Sequence, residues 1–373
     1  MRPLYFTRTF FLQPLTLKNK NFFPNRTLRK FFLSFSDAFL CIINHCKISQ
    51  NEYILIPNFY CLETLSFIEK HLKIIFYKIN DDFSVNKDSY FDQIKKYRPR
   101  IIMNYCLLGF SLNEMERKKL IILIQKNTII IDDYSQIIIH HNDINPLTKN
   151  HFYIDSIRKH SPFLGAHLIN DNFLYNSKEV QKINVYKIKC HILRMMSGFL
   201  NLLSYFNQSN KLFRLSHRVF LSLNTVVGDP KNPTKGNALS FFFYRFLNLD
   251  KIQKHNKKLA IEYTLYFNQL KNPLIKTLPL GVVESSNLLS YYPLFVDKKI
   301  YKPLTNYLLD RNIFVDQLWE FKNTGHKDIN KNLYDSFVSF PLVWLIKEKS
   351  AAMIYRAVKE FLNTDIKNHK NYD

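Results

Sequence analysis

The stretch TIIIDDYSQ, from Thr128 to Gln136, decides the fold that this sequence predicts. Its apolar, β-branched first half is typical of a buried strand, and two adjacent carboxylates, Asp132 and Asp133, end that strand. In open α/β sheets ligands bind beyond the carboxyl ends of the strands, so acids at this position are candidates for a functional site. Alternation along the strand should bury one of the two acids and expose the other.

A lysine follows in the segment SIRK, from Ser156 to Lys159, with Gly165 shortly after it. A carboxylate and a lysine in one pocket are what a pyridoxal phosphate enzyme requires. The lysine holds the cofactor as a Schiff base, and the acid keeps the pyridine nitrogen protonated so that the ring acts as an electron sink. By itself Lys159 would be read as a solvated surface residue, as most lysines are, and the two acids could simply cap the next helix.

Short apolar runs alternate with helical patterns of about ten to fifteen residues upstream of this stretch, which predicts βαβ units and an α/β fold with a mainly parallel sheet. The predicted strands are Tyr53–Pro57, Lys73–Ile79 and Arg100–Tyr105, and the predicted helices are Glu63–His71, Lys87–Tyr97 and Leu112–Lys126. Before them, SFSD from Ser34 to Asp37 predicts a helix N-terminus. It is either a simple N-cap or, with its backbone N–H groups, an anion site.

The alternation fades after about residue 175, and basic, partly amphipathic helices are predicted at Ile183–Phe206 and Leu212–Leu223. Such helices usually cover a core or a dimer interface, and less often lie on a membrane surface. Turn-forming dipeptides between Gly228 and Gly236 predict a boundary. We therefore expect an N-terminal arm at 1–30, a large domain at 31–230 and a smaller C-terminal α+β lobe at 237–373. The elements predicted in that lobe are a helix at Asn237–Phe267, a strand at Tyr292–Val296, a helix ending at Leu309, a strand at Ile313–Val315 and a helix at Lys347–Leu362.

The formal net charge of +23 over 373 residues would ordinarily suggest a nucleic-acid partner. Lys, Asn, Ile, Phe and Tyr are abundant along the whole chain, however, as a codon bias towards AT would produce. The lysines form no single block, and no zinc-finger, basic-zipper or RNA-recognition motif is present. We expect no nucleic-acid partner, whereas anionic small molecules are compatible with this charge.

The five cysteines form no CxxC pair and show no metal spacing with histidine, which is typical of reduced thiols in a cytoplasmic protein. His140 and His141 lack a spaced carboxylate or cysteine, so no metal site is expected. Gln13 and Pro14 interrupt the basic, aromatic N-terminal residues and no small-residue cleavage site follows, which argues against a secretory signal. No run reaches the roughly 18 to 20 apolar residues that a membrane span needs.

The order of these segments resembles the DegT/DnrJ/StrS family of pyridoxal phosphate-dependent sugar aminotransferases, which have the aspartate-aminotransferase-like fold. Four segments carry the resemblance: ILIPNFYCLET from Ile54 to Thr64, IIMNY from Ile101 with Gly109, IIDDYSQ from Ile130 to Gln136, and the region from Ile313 to Trp319. The third is similar to the family's "viEDaAQ" and is the most specific. The resemblance implies a mainly parallel, seven-stranded sheet sandwiched by helices, which is fold type I of these enzymes.

The resemblance also implies roles for particular residues. Asp133 would pair with the pyridine nitrogen and Gln136 would lie beside the ring. Lys159 falls at the Schiff-base lysine, and Ser156 lies three residues before it, closer than is usual in the sugar enzymes. Gly165 stands in place of the glycines that follow the lysine.

Two parts of the predicted cofactor site depart from the family pattern. Ser36 and Asp37 occupy the phosphate-cradling Thr-Ala positions, and a carboxylate there is tolerable only if the backbone N–H of Asp37 faces the ligand. Cys61 occupies the position of the stacking aromatic ring, so Phe59 or Tyr60 would have to substitute for it.

The function implied by the resemblance is the transfer of an amino group from an amino acid, glutamate in most of the family, to a keto sugar nucleotide for polysaccharide or glycoconjugate biosynthesis. A homodimer whose active sites are completed by the partner subunit is implied in the same way. A second hypothesis is a non-catalytic descendant that keeps the fold and serves as a binding or scaffold protein, since a fold does not determine a function.

Overall fold

A seven-stranded sheet forms the framework of the larger part of the chain. The computed structural model describes residues 29–106, 112–137, 144–159, 161, 163–170, 185–207, 209–285, 291–311, 313, 315, 328–334, 336–342 and 348–368. The strands of this sheet are β1 (Arg29–Phe32), β2 (Tyr53–Pro57), β3 (Lys73–Tyr77), β4 (Ile101–Tyr105), β5 (Ile129–Tyr134), β6 (His151–Asp155) and β7 (Ala166–Ile169). Their order is β1-β7-β6-β5-β4-β2-β3.

The central strands β3, β2, β4, β5 and β6 run parallel, whereas β7 and β1 are antiparallel to their neighbours. In β5, Ile129, Ile130 and Ile131 are all buried, as expected for a strand that has helices on both faces. The predicted α/β fold with a mainly parallel sheet is therefore confirmed.

Helices connect and cover these strands. In the large sheet's half they are α1 (Phe35–His45), α2 (Leu62–Glu69), α3 (Lys87–Tyr97) and α4 (Glu114–Leu123), followed by the pair α5 (Val185–Asn207) and α6 (Asn210–Val227). Local capping residues explain where two of these helices begin or end. Asn113 and Glu116 form a capping box at the start of α4, and Arg98, at φ 46°, ends α3 in the left-handed conformation.

The C-terminal part contains a separate three-stranded antiparallel sheet in the order β10-β9-β8. Its elements are α7 (Ala238–Tyr244), α8 (Leu249–Asn268), β8 (Ile275–Lys276), α9 (Leu280–Ser285), β9 (Tyr291–Val296), α10 (Lys298–Asp310), α11 (Lys331–Tyr334), β10 (Phe337–Pro341) and α12 (Glu348–Asn368). The two sheets lie on either side of the predicted boundary, and the division into domains itself stays a prediction.

The helix predicted from Asn237 to Phe267 is in fact two helices. Asn248 accepts a hydrogen bond from the backbone N–H of Lys251 and so begins α8 afresh. The break buries Leu247 in a small cluster with Tyr244 and Ile157. Ile157 is two residues before the predicted Lys159. Tertiary burial thus overrides the continuous helical pattern.

Several sequence-based expectations concern residues outside the described part of the chain. These are the arm up to residue 28, Gly109, the His140-His141 pair, Phe314 and the segment that contains Leu318 and Trp319.

Candidate functional site

The carboxyl ends of β5 and β6 bring the predicted acid and the predicted lysine segment to the same edge of the sheet. Tyr134, beside Asp133, is in register with Asp155, the last residue of β6. A short 3-10 turn, Ile157–Lys159, begins two residues after Asp155. The backbones of Asp133 and Lys159 therefore belong to neighbouring strand ends, where ligands bind in such sheets. The side chain of Lys159 lies outside the described part of the structure.

Gly165 closes the lysine turn. The N–H of Ile157 donates to its carbonyl over 2.9 Å. Gly165 has φ +156°, and a Cβ there would lie 2.2 Å from the ring of Phe31. Because backbone and ring leave no room for a side chain, only glycine fits at this position.

Asp133 is half-buried and has a defined hydrogen-bond arrangement. Its Oδ1 accepts from the backbone N–H of Ser135 over 2.8 Å, and its Oδ2 accepts from the hydroxyl of Tyr60. Burial, followed by the charge of Asp133, raises the pKa of Tyr60 well above its ordinary value. The hydroxyl of Tyr60 consequently stays protonated and remains a donor to the acid.

Asp132 points to the opposite side of β5 and belongs to a buried polar network. Its Oδ1 accepts from Asn104 Nδ2 over 2.6 Å, and the Asn104 side-chain oxygen accepts from the hydroxyl of Tyr90. His151 Nε2 lies 3.1 Å from Asp132 Oδ2. His151 Nδ1 accepts from the N–H of Leu147. This acid therefore has structural partners. Asp132 is buried and Asp133 is half-buried, so the two acids differ in burial, but neither is exposed as the alternation predicted.

The loop after β2 supplies the aromatic residue that reaches the acid. Phe59 is fully buried and packs edge-on against Phe83, Tyr334 and Phe337, so it belongs to the core between the two sheets. Tyr60 is held at its backbone, since its N–H donates to the Tyr334 hydroxyl over 3.2 Å and its carbonyl accepts from the same hydroxyl over 2.7 Å. Of the two proposed substitutes for the stacking ring, Tyr60 bonds to Asp133, and Phe59 packs among core aromatic rings.

Cys61 and Arg158 lie close together on the other side of this loop. The thiol of Cys61 donates to Glu63 Oε2 over 3.2 Å, and burial, followed by Glu63, raises the pKa of Cys61 to about 11. The thiol is thus neutral near pH 7. Burial lowers the pKa of Arg158, while Cys61 and Glu63 oppose that shift. Arg158 adds a positive charge beside the lysine turn, as an anionic ligand would require.

Helix α5 braces the same turn. One guanidinium nitrogen of Arg194 donates to the carbonyls of Arg158, over 3.3 Å, and of Ser161, over 2.7 Å. A charged donor that satisfies two loop carbonyls restricts the backbone around Lys159. Nothing in the sequence pattern identified Arg194, because its partners are backbone atoms of a distant segment.

The predicted phosphate cradle at α1 uses its residues differently from the expectation. Ser34 is the N-cap and accepts from the N–H of Asp37 over 3.1 Å, while its own hydroxyl donates to Asp37 Oδ2 over 2.5 Å. Asp37 Oδ1 accepts from the N–H of Thr234 over 2.9 Å, and Ser36 Oγ donates to the carbonyl of Gly228 over 3.4 Å. Both predicted residues thus bond within the protein. The N–H of Asp37, which was expected to face the ligand, donates to Ser34, so that expectation is wrong, and the other first-turn N–H groups that lack an intrahelical partner are the donors left for an anion.

Asp37 is an acid whose surroundings disfavour its charge. It is completely buried, and this burial raises its pKa from 3.8 to about 7, although Ser34, Thr234 and then Lys187 act in the opposite direction. Near neutral pH a large fraction of Asp37 is uncharged. An anion at the N-terminus of α1 is therefore compatible with Asp37 in its protonated form.

The remaining predicted residues bear on whether pyridoxal phosphate fits. Gln136 is buried, and its Oε1 has no hydrogen-bond partner among the described residues. A buried amide oxygen without a donor is costly, so a ligand that carries a donor would stabilise it. Ser156 is buried at the end of β6. The ring end of the site, with Asp133 and Gln136, fits the cofactor, and the phosphate end fits it when Asp37 is protonated.

Two further classes of site were searched for in the described residues. No three His, Cys, Asp or Glu side chains there are grouped so that they could hold a metal ion. Within the same residues, no helix combines the length and the apolar character that crossing a membrane demands.

Similar proteins are found by comparison of the fold and not by comparison of the sequence. No family model and no curated protein matches the chain. Among solved structures it is similar to PseC of Helicobacter pylori, an aminotransferase involved in the biosynthesis of pseudoaminic acid, with a TM-score of 0.59 and 14% identity over 97% of this chain and 100% of that one.

Two other similar structures are those of bacterial proteins. A DegT DnrJ EryC1 StrS aminotransferase from Brucella abortus has a TM-score of 0.56 and 11% identity, covering 89% of this chain and 85% of that one. NtdA from Bacillus subtilis, solved with the cofactor PMP bound, has a TM-score of 0.57 and 14% identity over 89% and 73% of the respective chains. At such identities the likeness shows the fold, and it confirms the predicted fold type I and, at that level, the resemblance to the DegT-type enzymes.

Proposed function

We propose that this protein is a pyridoxal phosphate-dependent aminotransferase. The observation that carries the proposal is the placement of Asp133 and the Lys159 turn at the carboxyl ends of two adjacent parallel strands, within a fold shared over 97% of this chain with an aminotransferase. Pyridoxal phosphate, when bound, supplies an electron sink for the negative charge that forms when a proton leaves the amino-bearing carbon.

Each residue of the site then has a definite task. Lys159 would hold the cofactor covalently and would act as the base toward the substrate carbon. Asp133 would pair with the pyridine nitrogen, and the Tyr60 hydroxyl and the Ser135 amide fix the orientation of that carboxylate. Gln136 offers its unpaired oxygen beside the ring.

The substrate proposal rests on the structural neighbours. One of those described above is an aminotransferase involved in the biosynthesis of pseudoaminic acid, and the sequence resembles sugar aminotransferases, so we propose a keto sugar nucleotide as acceptor and glutamate as donor, in polysaccharide or glycoconjugate synthesis. The positive charges of Arg158 and of the chain as a whole are compatible with such anionic substrates. A cytoplasmic homodimer is part of the same proposal.

Two observations favour the alternative of a non-catalytic scaffold protein. Asp37 brings a carboxylate to the predicted phosphate cradle, and the hydroxyl of Tyr60 already occupies one oxygen of the predicted catalytic acid. The two hypotheses differ in one measurable property, because an aminotransferase should attach pyridoxal phosphate covalently and a scaffold protein should not.

The test is to locate the cofactor chemically. The purified protein is incubated with pyridoxal phosphate, reduced with borohydride, digested and examined by mass spectrometry. We expect a phosphopyridoxyl adduct on the peptide that contains Lys159, its loss in Lys159→Ala, and its persistence in Lys149→Ala, which removes an exposed lysine nearby in sequence. No adduct at all would support the scaffold, and an adduct on another lysine would remove Lys159 from its role.

A further inference from the structure

Helix α5 exposes an unusually continuous row of large apolar side chains. Met195 is 74% exposed and Phe199 60%, whereas apolar residues of this size are ordinarily buried. We call this row the α5 stripe; its members are Val185, Ile188, Ile192, Met195, Met196, Phe199 and Phe206, with the half-buried Leu203 on the same face. Contiguous exposed apolar surface of this kind marks an interaction site.

The spacing of the stripe is symmetric about the point between Met195 and Met196. Moving outwards from that point, Ile192 on one side corresponds to Phe199 on the other. Ile188 corresponds in the same way to Leu203, and Val185 to Phe206. Two antiparallel copies of α5 would therefore place an apolar residue opposite an apolar residue in every layer. This self-complementarity is what a twofold, isologous interface requires.

We propose that two copies of the chain pair through the α5 stripe, antiparallel, about a twofold axis at Met195 and Met196. The inference specifies the surface of the homodimer suggested above, and it holds whether or not the protein is catalytic.

The size of the stripe suits a stable dimer. From Val185 to Phe206 the helix rises roughly 31 Å at 1.5 Å per residue. The exposed fractions of the seven most exposed residues correspond to an area on the order of 800 Å², taking roughly 150–220 Å² for each fully exposed residue. A standard interface buries about 800 Å² on each partner.

Charge favours the antiparallel arrangement. Lys189 is the exposed cation at the edge of the stripe. In a parallel pair it would lie opposite its own copy, whereas in the antiparallel pair the two lysines are separated along the helix axis by roughly 20 Å. That separation exceeds the Debye length of about 8 Å at physiological salt, so their repulsion is largely screened.

The position of α6 argues against an anionic membrane as the occupant. Ser197 on α5 bonds to Ser216 on α6, and both are buried between the two helices. At 100° per residue, Ser197 lies on the side of α5 away from the stripe, and Lys211, Arg214 and Arg218 lie on the side of α6 away from Ser216. The exposed cations of α6 therefore face away from the stripe, and Lys189 is the exposed cation of α5 beside it, whereas a helix that binds anionic lipid carries many cations beside its apolar face.

The first experiment measures the oligomeric state by sedimentation equilibrium and light scattering. We expect the wild type to be a dimer and the double variant Met195→Glu/Met196→Glu to be a monomer, or to dissociate at least a hundredfold more readily, because four carboxylates would meet at the axis. As a control, Met115→Glu/Ile122→Glu changes two residues of α4 that are 81% and 82% exposed, and it should remain a dimer. All these positions are exposed, so circular dichroism should show folded protein in each case.

The second experiment determines the orientation. In the double variant Ile192→Cys/Phe199→Cys, oxidation should join residue 192 of one copy to residue 199 of the other, since the two positions of one helix are too far apart for an internal disulfide. Links of 192 to 192 would overturn the antiparallel arrangement. A monomeric wild type, or a dimer unaffected by the glutamates, would overturn the interface. A monomer that binds phosphatidylglycerol vesicles through the stripe would assign the surface to lipid instead.

Discussion

Replacing Asp37 by asparagine should change how the stability of the protein depends on pH. The pKa of this buried acid is raised from 3.8 to about 7, a rise of about three units. At 1.36 kcal/mol for each unit, the shift corresponds to about 4 kcal/mol. Because the folded-state pKa is the higher one, the stabilising contribution is complete below pH 4 and is lost as the pH rises towards 7. Above that pH the folded protein also releases the proton, and the loss levels off.

Asparagine keeps the oxygen that accepts from the N–H of Thr234 but cannot ionise. Relative to the wild type, Asp37→Asn should therefore gain stability progressively between pH 4 and pH 7, by up to about 4 kcal/mol, with little further change at higher pH. The measurement is urea unfolding followed by circular dichroism at half-unit pH steps, with the variant and the wild type side by side so that all other titrating groups cancel.

Asp229→Asn is the matched control. Asp229 is an exposed carboxylate of the same region, paired with Lys70, and exposed pairs contribute little. Its stability curve should run parallel to that of the wild type. If the curve of Asp37→Asn also runs parallel to the wild-type curve, Asp37 does not keep its proton in the fold, and the reasoning from its burial is refuted.

The same substitution tests the phosphate end of the proposed site. Ionised Asp37 would repel a phosphate bound at the N-terminus of α1, so the affinity for pyridoxal phosphate in the wild type should fall, relative to that in Asp37→Asn, as the pH passes through 7. Fluorescence titration with the cofactor measures both affinities and so gives the ratio of the wild-type affinity to that of Asp37→Asn. A ratio that is independent of pH would place the phosphate away from α1.

Two further predictions concern the acid. Asp133→Asn should still attach the cofactor but lose on the order of a hundredfold in kcat, about 3 kcal/mol, because a positioned charge is removed from the ring nitrogen. Asp132→Asn should lower the melting temperature and leave kcat unchanged. An equal loss of kcat in both variants would mean that the faces of β5 are assigned the wrong way round. Tyr60→Phe removes one hydrogen-bond donor from the Asp133 carboxylate. It should lower kcat about tenfold and leave cofactor attachment intact, since a hydrogen bond to a charged group contributes about 1.5 kcal/mol. An unchanged kcat would show that Tyr60 does not position the acid.

The sequence predicted the parallel part of the fold well because hydrophobic periodicity reports on burial directly. The helix Lys87–Tyr97 has the predicted ends, since Asn86 caps it and the left-handed Arg98 ends it. Strands β6 and β7 were not foreseen. Buried polar residues, His151 in one and His167 in the other, interrupt their apolar patterns, and both histidines lie beside buried acids.

The candidate site was predicted less completely, because its residues are defined by partners that are distant in the chain. Asp37 takes its hydrogen bond from Thr234, and the turn around Lys159 takes its support from Arg194. Such pairings depend on tertiary contacts, which the local spacing of residues in the sequence does not predict. The resemblance placed the predicted phosphate cradle at the N-terminus of α1 but could not show that Ser34 is the cap of that helix.

Tyr60 meets the predicted acid in a way that the sequence did not suggest. The position where the resemblance implies a stacking aromatic ring is Cys61, and the hydroxyl of the neighbouring Tyr60 donates to Asp133. Tyr334, from the C-terminal part of the chain, fixes the backbone of Tyr60 on both its N–H and its carbonyl. The orientation of the acid therefore depends on how the two sheets pack together, so a change in their packing would alter the hydrogen bonding of Asp133 without any residue of the site being substituted.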